Sequence, residues 1–194
     1  MKSLLLDLAD LAERVKALES KVNTRVIFSV VRKGLGRYGQ YEHYSYTELG
    51  QIITYTDVIA NVGQGMDPNT GIFEAPVSGI YSFSFSALSD STEALNGYAT
   101  RIKVIKNLLG DYIESKFDIF QSGTRDGFRE NLSFSWMMSL YKGDKIHLAM
   151  NTWGAKLLTT DDHPLYFNGQ LLEAKVEGDQ RAYTSTPSTL FQTA

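Results

Sequence analysis

Aromatic and small polar residues alternate strictly between Tyr81 and Phe85, just after Gly79. The aromatic positions are Tyr81, Phe83 and Phe85, and single serines separate them. Because successive side chains of a β-strand point to opposite faces, all three rings lie on one face of the strand. Gly79, two residues before the first ring, predicts a turn that leads into it. The pattern therefore predicts a core strand of a sheet with one buried face.

Short β-type runs follow one another along most of the chain. They are rich in β-branched and aromatic residues, and glycine, proline or asparagine turns separate several of them. No strong helical pattern occurs after residue 23. The predicted strands are residues 26–31, 52–59, 71–75, 79–88, 98–107, 112–120, 132–141, 144–151 and 165–174. Many short strands separated by turns are typical of an all-β sandwich.

Residues 4–22 carry a different pattern, in which apolar residues are spaced alternately by four and three. The members of this heptad seam are Leu4, Leu8, Leu11, Val15, Leu18 and Val22. The pattern predicts a coiled-coil helix, with Arg14 at position g and Glu19 at the following position e. The alternative is an amphipathic helix that folds back onto the domain. Valine at a with leucine at d favours two strands by itself, so a trimer would have to be selected by the rest of the chain.

Composition argues against several classes of function. The 194 residues suffice for one domain of roughly 150 residues with an appendage. A net charge of −3 gives no basic surface for nucleic acid, and no run approaches the ~18–20 apolar residues of a membrane span. The absence of cysteine excludes disulfides and thiolate metal sites. The first residues resemble the start of a signal peptide, but Asp7 and Asp10 interrupt the apolar run, so none is predicted within this chain.

We find no set of residues with the spacing of a catalytic or metal-binding site. His43, His147 and His163 are far apart in the sequence, and His147 is expected to be a hydrogen-bonded residue of a sheet. No Gly-x-Ser-x-Gly element occurs. Residues 67–71 faintly resemble a calcium loop but lack the terminal bidentate acid, so they predict a β-turn. We therefore expect a protein that is not an enzyme.

The aromatic strand is part of a longer pattern that resembles the signature of the complement C1q-like globular head. The pattern reads Y-x5-N-x4-M-x6-F-x5-G-x-Y-x-F-x-F, and its members are Tyr55, Asn61, Met66, Phe73, Gly79, Tyr81, Phe83 and Phe85. Tyr55 and Met66 replace phenylalanines of the family but keep bulk and apolar character. Further blocks resemble the family in the same order, including a hairpin at Gly143 and Asp144. The resemblance covers about residues 26–174.

This resemblance implies an all-β, ten-stranded jelly-roll sandwich of the C1q/TNF type that forms a homotrimer. We expect a coiled-coil trimerisation helix at residues 1–24, a C1q-like globular domain at 25–176 and a polar tail at 177–194. The signature aromatics then form the core, so any binding site lies in the loops.

The implied function is that of a secreted, extracellular recognition protein with lectin-like binding in innate immunity. Its ligand would be a microbial surface, a glycan or another protein. Two alternatives stay open: a structural or matrix assembly protein, and a hormone-like receptor ligand.

Calcium is the one cofactor that the resemblance suggests. Some family members bind it near the threefold axis through an Asp-Gln pair just before the strand that precedes the hairpin, and Glu130 and Asn131 fall there. This acid is one methylene longer and this amide one shorter than in that pair, and the alternative is a solvent-exposed loop acid. Asn131 also begins an Asn-Leu-Ser sequon, which predicts a glycosylation site.

Overall fold

The computed structural model of the protein describes a helix and two β-sheets. The described residues are 7–16, 24–34, 42–45, 51–90, 100–107, 117–121, 129–150, 156–160 and 162–175. The predicted seam residues Leu4, Leu18 and Val22 lie outside them, as does the predicted tail at 177–194.

Residues 7–16 are helical, within the segment that the heptad seam predicts. Every side chain of this helix is exposed, including Leu8, Leu11 and Val15. Arg14 lies 4.0 Å from Asp10 one turn earlier, an exposed pair that contributes little to stability. Three of the six seam residues are thus exposed on the described helix, and the coiled coil stays a prediction.

Twelve strands are present in the described part of the chain. They are β1 Ile27–Arg32, β2 Glu42–Ser45, β3 Asp57–Val62, β4 Met66–Asp67, β5 Ile72–Glu74, β6 Gly79–Asp90, β7 Thr100–Asn107, β8 Phe117–Gln121, β9 Arg129–Leu140, β10 Lys145–Met150, β11 Lys156–Thr159 and β12 Leu165–Ala174.

The strands form two antiparallel sheets, which confirms the all-β sandwich. In the seven-stranded sheet A the order is β2-β11-β6-β12-β1-β3, and β9 pairs with β6 along its whole length. In the five-stranded sheet B the order is β4-β5-β10-β7-β8. The central strand β6 is the one that the aromatic alternation predicts.

The structure differs from the predicted strands mainly between residues 51 and 67. Of the segment predicted as one strand at 52–59, the first part forms only a single bridge at Ile52, and β3 begins at Asp57, five residues later than predicted. The amide of Ile53 donates to Leu148 in sheet B, whereas the amide of Thr56 donates to Val31 in sheet A. The segment therefore crosses from one sheet to the other. A second difference is the short pair β2 and β11, which extends sheet A.

Aromatic rings from both sheets fill the space between them. Phe28 and Phe167 of sheet A have ring centroids 4.9 Å apart, and Phe28 lies 4.9 Å from Phe73 of sheet B. Phe83 stacks on Trp136 at 5.3 Å. Such packing stabilises the sandwich through apolar burial and favourable ring geometry.

The structure places the signature residues predicted from the sequence in this core or at its turns. The buried ones are Tyr55, Met66, Phe73, Tyr81, Phe83 and Phe85. Gly79 starts β6, and Asn61, near the end of β3, bonds to the backbone of Met66 at the start of β4. Gly143 has φ of 89°, and the amide of Asp144 donates to the carbonyl of Tyr141 at 2.9 Å, so a tight turn is present. The predicted hairpin is wrong, because β9 pairs with β6 in sheet A whereas β10 pairs with β5 and β7 in sheet B, so this β9–β10 turn joins the two sheets.

Candidate self-association face

Sheet A turns its serine-bearing face away from the core. Strand alternation buries the aromatics of β6 and places its serines on the opposite face. Strand register then aligns residues from four neighbouring strands in one line across the sheet. We call this line the polar row: Ser135 of β9, Ser84 of β6, Asn168 of β12 and Ser29 of β1.

The polar row is hydrogen bonded across three strands. The hydroxyl of Ser29 donates to Oδ1 of Asn168 at 2.7 Å, and Nδ2 of Asn168 donates to Oγ of Ser84 at 3.2 Å. All three side chains are half-buried. The hydroxyl proton of Ser84 and the second N–H of Asn168 have no further protein partner among the described residues. The row therefore keeps hydrogen-bonding capacity that faces outwards.

Exposed apolar side chains lie beside the polar row, nearer the β9–β10 turn. Met137 of β9 is 70% exposed. Ile27 of β1 pairs with Val62 of β3, and both are exposed. Leu172, at the bulge of β12, is exposed as well. We call these four residues the apolar patch, in which the register sets Ser82 and Gln170 between Met137 and Ile27.

A hollow of about 370 Å³ lies between β1, β6 and β12 on this face. Its lining includes Ser29, Ser84 and Asn168 of the polar row, together with Ser82 and Gln170. These side chains are neutral, and most are small. The hollow can therefore accept neutral hydrogen-bonding groups and offers no charge to an ion.

A larger groove of about 870 Å³ lies beside the β9–β10 turn. Both signs of charge line it, with Asp67 and Glu74 opposite Lys142 and Lys145. Nζ of Lys145 lies 3.6 Å from a carboxylate oxygen of Glu74. With two acids and two lysines in its lining, the groove presents no net charge that would select an ionic ligand.

The predicted calcium residues lie within a strand, which corrects the expectation of a loop. Glu130 pairs with Ser89 and Asn131 pairs with Leu88, both in the ladder between β9 and β6. The ladder extends β9 back to Arg129, so these two residues precede no strand. Calcium binding at Glu130 and Asn131 stays a prediction, as does glycosylation of the exposed Asn131.

Asp67 belongs to a β-turn, as the sequence predicts. Its carboxylate accepts hydrogen bonds from the hydroxyl of Thr70 at 2.9 Å and from the amide of Asn69 at 3.0 Å. The bond from Thr70 contributes most to lowering the pKa of Asp67. Within the described residues no three acidic, histidine or cysteine side chains come together as a metal site.

His147 lies in β10, but the expectation that it is fully hydrogen bonded is wrong. Its side chain is buried between Ile72 of β5 and Ile105 of β7, and its Nδ1 has no hydrogen-bond partner in the described structure. Burial lowers the pKa of His147 below its ordinary value of 6.5. A buried polar group of this kind costs free energy when it is unpaired.

The comparison with protein families decides where the chain belongs. The model of the C1q domain matches residues 38–172, more than half of the chain. The chain belongs to the C1q domain family. Among the helices that the structure describes, none is long and apolar enough to cross a membrane.

Solved structures of the C1q and TNF type share this fold. The globular domain of zebrafish complement 1qA is 19% identical, with a TM-score of 0.54 over 78% of this chain and 100% of that domain. Murine APRIL is 14% identical, with a TM-score of 0.54 over 77% and 100%. Eiger TNF from S. frugiperda is 10% identical, with a TM-score of 0.60 over 80% and 98%. These matches confirm the jelly-roll sandwich predicted from the sequence.

C1q and TNF domains are non-enzymatic ligand-binding modules. They are generally trimeric, bind proteins and are typically extracellular. Sequence reasoning missed the polar row of this C1q domain. Its signal was present in the serines between the signature aromatics, but alternation within one strand does not show which residues of β1, β9 and β12 stand beside them.

Proposed function

We propose that this C1q-domain protein is a secreted, trimeric recognition protein. Three heads assemble through the outer face of sheet A, and loops of the assembled head bind a microbial surface, a glycan or another protein. The observation that carries the proposal is the apolar patch on a sheet face of a C1q domain. The trimeric habit of the family supports the same arrangement.

The apolar patch favours self-association because isolated copies leave it in water. Met137, Ile27, Val62 and Leu172 lie on one face of sheet A and are all exposed in the single chain. Burying such side chains contributes about 25 cal/mol per Å² of apolar area. A complex in which a partner covers the face gains this free energy. Other copies of the same chain are available as partners wherever the protein is made.

The helix supports the same proposal. Leu8, Leu11 and Val15 form an exposed apolar stripe on residues 7–16. A helix this short is marginal when alone in water. Three heads that assemble would bring three such helices together, and their stripes would then be buried against one another.

The ligand end of the head is proposed to lie opposite the β9–β10 turn. Asp90 pairs with both Arg129 and Lys156, so β6, β9 and β11 have ends close together there. A trimer presents this end three times, so weak contacts with a repetitive surface would add up.

Sedimentation velocity and light scattering on the full chain test the assembly. We expect a single species of three times the chain mass of 21.7 kDa at micromolar concentration. A monomer under these conditions would overturn the proposal.

Binding to glycan arrays, to intact bacteria and to extracellular protein libraries, each with and without calcium, tests the recognition role. We expect binding to at least one of these surfaces. The absence of binding to all of them by a confirmed trimer would favour a structural role for the head.

A further inference from the structure

The polar row has a feature that the apolar patch does not explain. Four strands place neutral hydrogen-bonding side chains in line, and each of these groups can both donate and accept. Their position beside exposed apolar side chains means that any partner covering the patch also covers the row or its edge. Polar groups buried in this way cost free energy unless the partner satisfies them.

We infer that the polar row faces its own copies across the threefold axis and that Asn168 determines how the heads are placed. This inference rests on the proposed trimer. Side chains near a rotation axis meet identical side chains from the other subunits. A charged group there repels its copies, whereas hydroxyl and carboxamide groups can pair with themselves. The polar row consists of such neutral donors and acceptors, so it can lie next to identical side chains near the threefold axis without repulsion.

The geometry also disfavours other placements of the copies. Along a strand, equivalent outward positions are two residues apart, about 6.8 Å. A copy shifted by that distance would set the apolar side chain of Met137 or Ile27 against the row. The unused N–H of Asn168 and hydroxyl of Ser84 would then be buried without partners, at a cost large enough to select one register.

Asn168→Asp tests this placement with almost no change of shape. The carboxylate can still accept the hydrogen bond from Ser29, so the variant should fold. Three carboxylates a few ångström apart repel one another, and we expect the dissociation constant of the trimer to rise roughly a hundredfold at neutral pH. Protonation near the ordinary carboxyl pKa of about 3.9 should restore the trimer.

The matched control is Asn69→Asp, the same substitution in the exposed turn after β4. It should leave the trimer unchanged at both pH values. Sedimentation velocity on full-length wild type and both variants, at neutral pH and at about pH 4, gives the stoichiometry. Circular dichroism at each pH confirms that the head is folded.

The outcomes separate this inference from the proposed function. If Asn168→Asp stays as trimeric as Asn69→Asp at neutral pH, the row does not face its copies and the inference is overturned. The inference is also overturned if the folded Asn168→Asp variant dissociates and stays dissociated in acid, because repulsion between carboxylates is then not the cause. A monomeric wild type instead overturns the proposed trimer itself.

Discussion

The carboxamide of Asn61 makes two hydrogen bonds with the backbone of Met66. Nδ2 donates to the carbonyl at 2.7 Å, and Oδ1 accepts from the amide at 3.2 Å. Between the two residues, Gly63 and Gln64 have positive φ angles of 84° and 54°. The side chain holds this uncommon turn closed, which explains why one polar residue belongs to a pattern of otherwise apolar positions.

Gly169 is required by the ring packing of the core. A Cβ atom at this position of β12 would lie 2.9 Å from a ring carbon of Phe83 and still closer to the ring of Phe28. The aromatic side chains therefore occupy the space that any other residue needs. Its neighbours Asn168 and Gln170 point the other way, so one strand serves both the core and the outer face.

At the residue scale, we predict that His147 makes stability fall on acidification. Burial lowers its pKa in the folded chain below the ordinary value of 6.5, which the unfolded chain keeps. As the pH falls below about 6.5, the unfolded chain takes up this proton first, so the free energy of unfolding decreases. His147→Leu removes the effect and the unpartnered Nδ1 together. Urea unfolding between about pH 5 and pH 8 should show a flatter pH dependence for the variant.

The control for this prediction is His163→Leu, which replaces an exposed histidine of the turn before β12. Equal slopes for wild type and His147→Leu would show that His147 is not the group responsible.

The β9–β10 turn, which joins the two sheets, is tied to β7 by a nearly buried ion pair. Nζ of Lys106 lies 3.0 Å from Oδ2 of Asp144 and donates to the carbonyl of Ser139. The same carboxylate oxygen accepts the amide of Tyr141 at 2.8 Å. Asp144 therefore closes the β9–β10 turn and also binds Lys106 of β7.

We predict that Asp144→Asn costs about 3–5 kcal/mol of unfolding free energy, because it leaves the ammonium group of Lys106 without its charged partner. Lys106→Met in the same chain should recover part of this loss. Chemical denaturation of the two single variants and the double variant measures the coupling.

The exposed ion pair of Glu74 and Lys145 serves as the control for the ion pair at the β9–β10 turn. Both side chains are about half exposed, and Glu74→Gln should cost no more than about 1 kcal/mol. If Asp144→Asn lowers the free energy of unfolding as little as Glu74→Gln does, the ion pair of Asp144 and Lys106 does not stabilise the β9–β10 turn.

At the scale of the whole molecule, two different apolar surfaces are open to partners. One is the apolar patch on sheet A, and the other is the stripe on the helix at residues 7–16. The sequence of the helix favours two strands by itself, whereas the family to which the head belongs generally forms trimers. The head is therefore expected to select the stoichiometry and the helix to add affinity.

We predict that Leu8→Asp combined with Leu11→Asp weakens the trimer without changing its stoichiometry. Charges in the apolar stripe oppose helix association but leave the face of sheet A intact. Sedimentation velocity over a range of concentrations measures both quantities, with Glu13→Lys outside the seam as the control. An unchanged dissociation constant would mean that the helix takes no part in assembly, as expected for a helix that folds back.

The class of the fold and most of its core could be predicted from the sequence. Alternation in β6, the turn closed by Asn61 and the tight turn at Gly143 and Asp144 are local features, since each depends on residues within a few positions of one another. Local patterns are what a linear sequence displays directly. For this reason the strand at 79–88 and the tight turn could be predicted with their positions.

Features that depend on pairing between distant strands could not be predicted from the sequence. The predicted strand at 52–59 is displaced because that segment bonds first to β10 and then to β1. His147 lacks a partner because Ile72 and Ile105 are its neighbours in the register. The polar row exists because Ser29 and Asn168, far apart in the chain, stand side by side. Such contacts depend on register across the sheets, which no single strand encodes.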